Sequence, residues 1–359
     1  MKYLTEALTF DDVLIVPAKS SIKPSEANIS TKLTKNIKLN VPLISAAMDT
    51  VTESNLAIKI AQMGGLGIIH KNLNFVDQAL EVSKVKRFES GMVINPVTIS
   101  PDETLNNVLK KKERYNISGI PVVDNKSQRL VGILTNRDMR FAKNLQQKVS
   151  TLMTKNNLVT VSENISMNSA QKLLHEHRIE KLLVVDKNFK CVGLITVKDI
   201  EKAAKFPFAS KDKMGRLLVG AAVGVGEMEG LERIRTLEKA GVDVVVIDTA
   251  HGHSHNVVET LKMSKKEFPK LPVIVGNIAT AEAAKELIQN GADALKVGIG
   301  PGSICTTRII AGVGVPQLHA ISETFRIAKK NNISIISDGG IKYSGDIAKA
   351  IAFGADVVM

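Results

Sequence analysis

No tryptophan occurs among the 359 residues, and aromatic side chains make up only 4% of them. A core built without large rings must be filled by Val, Ile, Leu, Ala and Met, which the 44% hydrophobic content supplies. Cysteine is scarce too: Cys191 and Cys305 are the two, too few for a disulfide framework. The N-terminal apolar run is too short for a secretory signal, and no apolar stretch approaches the ~20 residues that span a bilayer. Secreted, disulfide-stapled and membrane-spanning classes are set aside, and a cytoplasmic setting is expected. Also missing is any basic run interleaved with aromatics, although the formal net charge is +12. That charge is unevenly placed. Residues 1–91 hold 11 basic against 9 acidic groups, 92–205 hold 19 against 11, and 206–359 hold 18 against 16. Such a surplus in the middle third fits a lysine-rich solvated face or sites for small polyanions better than a nucleic-acid arm.

What is present first is a repeat inside that basic third. Residues 97–138 recur as 159–199, at an offset of 62 that falls to 61 after one deletion. Each copy reads as a short strand, a helix, and two strands about a turn, with PVVD…VGILT in one and LVVD…VGLIT in the other. The pattern resembles the paired cystathionine-β-synthase (CBS) motif, an α+β module, with copies over about 95–143 and 153–205. Each copy ends in Thr-x-x-Asp: Thr135 with Asp138, and Thr196 with Asp199. These residues fit a helix cap. By the resemblance they fit equally well a site for an adenine or guanine nucleotide, with Asp on the ribose and Thr near phosphate.

Outside this insertion, in 1–91 and 206–359, short apolar strands alternate with helical patterns, as in a parallel α/β fold. Strands are expected at 42–46, 66–69, 217–221, 242–248, 272–276, 294–298, 334–338 and 356–359, with helices at 229–239 and 281–289. The punctuation AGVD, NGAD and FGAD, with glycines at 241, 291 and 354, is what a helix C-cap leading into a strand looks like. Eight such strands predict a (β/α)8 TIM barrel whose site lies at the strand C-terminal ends. The eighth strand, however, falls on the last four residues. The expectation is therefore a barrel cut short in strand eight, with strands one and seven left unpaired at an open edge and with doubtful turnover.

The segment Gly298–Thr307, GIGPGSICTT, concentrates the chemistry. Its glycines let the backbone turn sharply and present amides to a ligand, and those amides favour a thiolate at Cys305. An isolated cysteine beside a glycine turn would also fit a structural position. Two other motifs look functional and are read otherwise. The glycines at 224, 226 and 230 have GxGxxxG spacing, not the dinucleotide-binding GxGxxG. His251, His253 and His255 alternate on a loop without the carboxylate or Cys partners a zinc site wants.

Seven motifs appear in order: LTFDDVLIVPA (8–18), PLISAAMDTVTE (42–53), GGLGIIHKN (64–72), IDTAHGHS (247–254), GNIAT (276–280), the cysteine loop, and SDGGI (337–341). With them the chain resembles the IMP dehydrogenase family over essentially its whole length; GMP reductase is the near relative sharing part of the set. The resemblance implies oxidation of IMP by NAD through a covalent bond to Cys305, with Thr307 ordering the hydrolytic water. It implies an IMP site at Met48, Ser303, Asp338, Gly339, Gly340 and Met359. It also implies an NAD site at Asp248, Asn277, Gly298, Ile299 and Gly300, and a potassium site on the carbonyls of Gly300, Gly302 and Cys305. A homotetramer or octamer is implied, as are a flap with an Arg-Tyr pair and a C-terminal cation-site segment that would lie beyond residue 359. The alternatives are a GMP reductase and a non-catalytic nucleotide sensor.

Overall fold

The structure is a computed structural model. It describes residues 6–359 apart from 89–92, 95, 116, 163, 164, 198, 199 and 202–204. The chain divides into two compact units: one of residues up to 86, 208–210 and 217–359, the other of 87–207 and 211–216.

The first unit is a ring of eight parallel strands: β1 (Ile44–Ser45), β2 (Leu66–Ile69), β3 (Val219–Val223), β4 (Val244–Asp248), β5 (Val273–Ile278), β6 (Ala294–Val297), β7 (Ser334–Ser337) and β8 (Val357–Val358). Their side chains are almost entirely buried, which is why they read as continuous apolar runs. Helices α1 (Ser54–Gln62), α2 (Phe75–Lys86), α3 (Arg233–Lys239), α4 (His255–Glu267), α5 (Ala281–Gln289), α6 (Gln317–Lys330) and α7 (Ser344–Ala352) alternate with the strands. A π-helical turn, Glu227–Glu232, leads into α3 where the sequence pattern suggested α-helix from 229.

The expected open edge does not exist. β8 pairs with β7 through Ile336↔Val357 and Ser337↔Val358, and it bridges to Leu43, with the Val358 N–H donating to Pro42 O at 3.0 Å. Two residues suffice because the facing strand β1 is itself only two residues long. A hairpin unseen in the sequence, Thr31–Lys32 with Lys38–Leu39, sends Leu33, Ile37 and Leu39 into the barrel core.

The three Gly-x-Asp repeats do one job each time. Gly241, Gly291 and Gly354 have φ of +86°, +97° and +116°, the left-handed cap that glycine adopts without penalty. The aspartate two residues on then turns back to the preceding strand. Asp243 Oδ2 accepts Val219 N–H, Asp293 Oδ2 accepts Val273 N–H, and Asp356 Oδ2 accepts Ile335 N–H, each at 2.8 Å. The same device thus pins strand pairs β3–β4, β5–β6 and β7–β8 at the N-terminal rim.

In the second unit the repeat is visible as repeated pairing. Ile99 pairs parallel to Val122, and Val161 to Val184; Gly119 pairs with Thr135, and Lys181 with Thr196. Each copy has its own core, one around Val108, Ile120 and Leu134, the other around Ala170, Leu182 and Ile195.

Candidate active site

Period-two alternation sets the floor of the site. Val244 and Val246 on β4, Ala294 on β6 and Ile336 on β7 belong to the barrel core. Two residues further along each strand come Asp248, Lys296 and Asp338, a polar layer above the apolar ones at the end where barrels carry chemistry. Lys296 Nζ lies 2.9 Å from Asp248 Oδ1 and 2.7 Å from Asp338 Oδ2. Asn277 Nδ2 donates to Asp338 Oδ2 at 2.8 Å and to Gly298 O at 2.7 Å, while its own Oδ1 accepts from Lys296. Lys71 Nζ donates to the Asp248 carbonyl at 2.8 Å.

Lys296 is 3% exposed. Burial pulls its pKa down, but the carboxylates of Asp338 and Asp248 more than reverse this and hold it above the ordinary lysine value. The ammonium stays charged. Gly276, on the neighbouring strand β5, makes room for it, since a Cβ there would lie 2.5 Å from Lys296 Cβ. Asp248, Asn277 and Asp338 were singled out from the sequence, whereas the cation that joins them was not. Its signal was available: a lysine two residues after Ala294 on a buried strand demands partners.

The cysteine loop leaves β6 pressed against the end of β7. Gly298 has φ +152°, and a Cβ there would sit 2.1 Å from Asp338 O. Further on, Pro301 packs beneath the Gly339–Gly340 turn, 3.1 and 3.2 Å from the Cβ positions those glycines lack. Cys305 N–H donates to Gly302 O at 3.0 Å, and Thr307 opens a short helix, Thr307–Ile310. Cys305 Sγ lies 3.2 Å from Thr307 Oγ1. The Thr307 hydroxyl, and after it the Thr307 N–H, favour the thiolate against a little desolvation, and Arg308 adds a weaker pull. The thiol is therefore held below its ordinary pKa. Cys191, in the other unit, is pushed up to about 11 by burial. One cysteine is primed and the other muted.

The structure thus brings Asp248, Asn277, Gly298 and Asp338 into one bonded group, with Gly302, Gly339 and Gly340 packed beside it. Met48 follows β1 and is 41% exposed; Ser303 is exposed on the loop. Met359, at the end of β8, is partly buried on the barrel core, its N–H bonded to Ser337 O at 2.9 Å. Of the backbone groups expected to bind ligands, Ile299 O accepts Val315 N–H at 3.2 Å, and Gly302 O takes the Cys305 N–H. Gly300 has φ +78° beside the Arg308 side chain.

In the second unit, Asp138 Oδ2 accepts both the N–H and the hydroxyl of Thr135 at 2.7 Å, so the helix-cap arrangement is in place there. Thr196 is buried, and Asp199 lies outside the described residues. His253 Nε2 sits 2.7 Å from Glu286 Oε2, and the rings of His251 and His253 are 6.4 Å apart.

Comparison with known proteins gives a consistent picture. A family model described as "IMP dehydrogenase / GMP reductase domain" matches residues 7–359. The inosine-5'-monophosphate dehydrogenase of Aquifex aeolicus is 58% identical over 360 residues, all of this chain and 73% of that protein. That of Bacillus subtilis is 54% identical over 359 residues, again all of this chain and 73% of that protein. Among solved structures, GMP reductase from Trypanosoma brucei in complex with guanosine 5'-triphosphate superposes with a TM-score of 0.89 at 40% identity, covering 99% of this chain and 86% of its own. A cysteine-to-alanine variant of that reductase in complex with guanosine 5'-monophosphate gives a TM-score of 0.89 at 39% identity, covering 99% of this chain and 76% of its own. Because that coverage includes residues 92–205, the inserted segment does not by itself separate dehydrogenase from reductase.

Proposed function

Because the chain belongs to the IMP dehydrogenase and GMP reductase family, we propose that this oxidoreductase converts IMP to xanthosine monophosphate with NAD as hydride acceptor. The observation that carries the reading is Cys305, a thiol with a lowered pKa, held by Thr307 on a glycine loop beside Asp338, Gly339 and Gly340. In the proposed reaction the Cys305 thiolate forms a bond to C2 of the hypoxanthine ring. Re-formation of the C=N bond expels the C2 hydrogen with its electron pair to the nicotinamide ring, leaving a thioimidate on sulfur. Water then adds at C2, the thiol leaves, and the oxidised nucleotide is released.

Asp338 suits the IMP ribose, and the amides of Gly339, Gly340 and Ser303 suit its phosphate, with Met48 and Met359 against the purine. Asp248 and Asn277 suit the dinucleotide, together with the backbone of Gly298, Ile299 and Gly300. The carbonyls of Gly300, Gly302 and Cys305 are hard oxygen donors of the kind a potassium ion takes; Gly302 O keeps a second lone pair beyond its turn hydrogen bond. Identity of 53–58% to curated dehydrogenases favours this direction over the reductase, to which identity is 39–40%. In a protein that also carries the flap implied by the resemblance, steady NADH formation from IMP and NAD, without NADPH oxidation on GMP, is the expected result. The reverse pattern would make the protein a GMP reductase.

Residues 92–205 are read as a CBS pair that binds adenine or guanine nucleotides and tunes the barrel, within a homo-oligomer. Thr135, Asp138, Thr196 and Asp199 are the contact candidates, which for Asp138 requires its carboxylate to turn from Thr135 to a ribose. Calorimetry on the whole protein should show ATP or GTP binding that Asp138→Ala weakens about tenfold or more (~1.4 kcal/mol). Unchanged affinity would leave Asp138 a helix cap and nothing else.

A further inference from the structure

At the C-terminal end of β2 lies a second cluster that the proposed reaction does not use. His70 follows β2 directly and is 2% exposed, yet neither ring nitrogen has a hydrogen-bond partner. A buried imidazole left unpaired calls for an explanation. Its Nε2 faces two carboxylates, 3.7 Å from Asp49 Oδ1 and 3.6 Å from Glu53 Oε1. Both gaps are too long for a hydrogen bond. They are close to the ~3.3–3.6 Å that separates two ligand atoms of a tetrahedral ion with bonds of about 2.0–2.2 Å. One ligand atom from each of the three residues lies within 4.8 Å of the others.

The frame around these side chains is tied down. Gln78 Nε2 donates to His70 O at 3.0 Å, and Thr52 Oγ1 donates to Ala46 O at 2.6 Å, bracing the loop that carries Asp49 and Glu53. Asn72 Nδ2 donates to Asp49 Oδ2 at 2.6 Å, which leaves Oδ1 turned toward the imidazole; outer-shell bonds of this kind orient metal ligands. Among the described residues, His70 is the sole ion-pair partner of either carboxylate, so their two negative charges have no lysine or arginine to balance them. Asp49 and Glu53 remain 53% and 51% exposed, which gives an ion a way in and leaves one side of the cluster open.

We infer that Asp49, Glu53 and His70 form a binding site for a divalent transition cation, of which Zn²⁺ fits best. The ion takes Nε2 and one oxygen of each carboxylate, and a fourth position faces water. An imidazole with two carboxylates suits zinc, whereas magnesium and calcium prefer oxygen-only sets. This inference stands apart from the IMP reading and would survive its failure.

The test uses the whole protein, its accessible thiols blocked and its metals stripped, titrated with Co²⁺ and followed by visible absorption. One Co²⁺ per chain should bind, with d–d bands of a four- or five-coordinate ion, and one equivalent of Zn²⁺ should displace it. Glu53→Gln and Asp49→Asn, at half-exposed positions, should each weaken binding tenfold or more while leaving the metal-free melting temperature unchanged. His70→Gln should abolish the bands. Absence of stoichiometric binding at about 100 µM Co²⁺, or bands that survive Glu53→Gln and Asp49→Asn at full affinity, would overturn the site.

Discussion

In a protein that carries the flap implied by the resemblance, Cys305→Ala should lower NADH formation from IMP by about 10⁴-fold or more, the scale seen when a covalent nucleophile is deleted, while IMP affinity changes little. The parent enzyme stopped during turnover should carry one purine nucleotide on Cys305, detectable by peptide mass, and the alanine protein none. The pH dependence follows from the direction of the shift. Thr307 holds the Cys305 thiol below its ordinary pKa, so alkylation should rise with pH to a midpoint below that of an unperturbed cysteine. Cys191, pushed up to about 11, should stay unmodified through that range. Thr307→Val should move the Cys305 midpoint upward, and IMP should slow the reaction. An active alanine variant, or alkylation indifferent to IMP, would remove covalent catalysis from the account.

Lys296→Met should be the most destabilising single change in the site. It removes the cation shared by Asp248 and Asp338 and leaves two carboxylates, 25% and 22% exposed, facing the gap. Loss of one member of a buried ion pair costs about 3–5 kcal/mol, and the partial exposure here argues for the lower end. At about 3 kcal/mol the barrel's melting temperature should fall by roughly 6–12 °C. Lys296→Arg should recover part of it. The raised lysine pKa means the stabilisation is complete below the unfolded lysine pKa, ~10.4, and fades only as pH rises through the still higher folded value. The deficit should accordingly be flat from about pH 6 to 9. A deficit under about 1 kcal/mol would show that Asp248 and Asp338 do not depend on Lys296.

The barrel was legible because parallel strands buried on both faces leave unbroken apolar runs; β2 and α5 fall at the very residues read from the sequence. β3 was misplaced by two residues. Leu217 and Leu218 are as apolar as the strand, but the Leu218 N–H turns aside to Ser210 O at 3.0 Å. The π-helical turn before α3 was not legible in the sequence, and its start is tied both locally and across the fold. Gly224 N–H reaches Glu229 O at 2.8 Å, and Gly226 N–H reaches Thr260 Oγ1 at 2.8 Å, on α4. Among site residues, Asp338 and Asp248 stood inside recognisable motifs. Lys296 stood in none, and its partners lie 42 and 48 positions away along the chain. His70, Asp49 and Glu53 stood inside motifs but were passed over, since what marks their cluster is an imidazole buried without a partner, which only the fold reveals.

The bridge between Leu43 and Val358 joins positions 315 apart, with the whole second unit threaded between β2 and β3. On a ribosome adding ~5–20 residues per second, β1 therefore waits roughly 15–60 seconds for the strand that will cover its outer edge. During that interval the nascent chain presents unpaired backbone and an unsealed apolar lumen, so the risk of aggregation is concentrated in synthesis and not in the finished protein. Chaperone demand should consequently track translation speed through residues 219–358, and slowing that stretch with rare codons should lower soluble yield without altering the melting temperature of what folds.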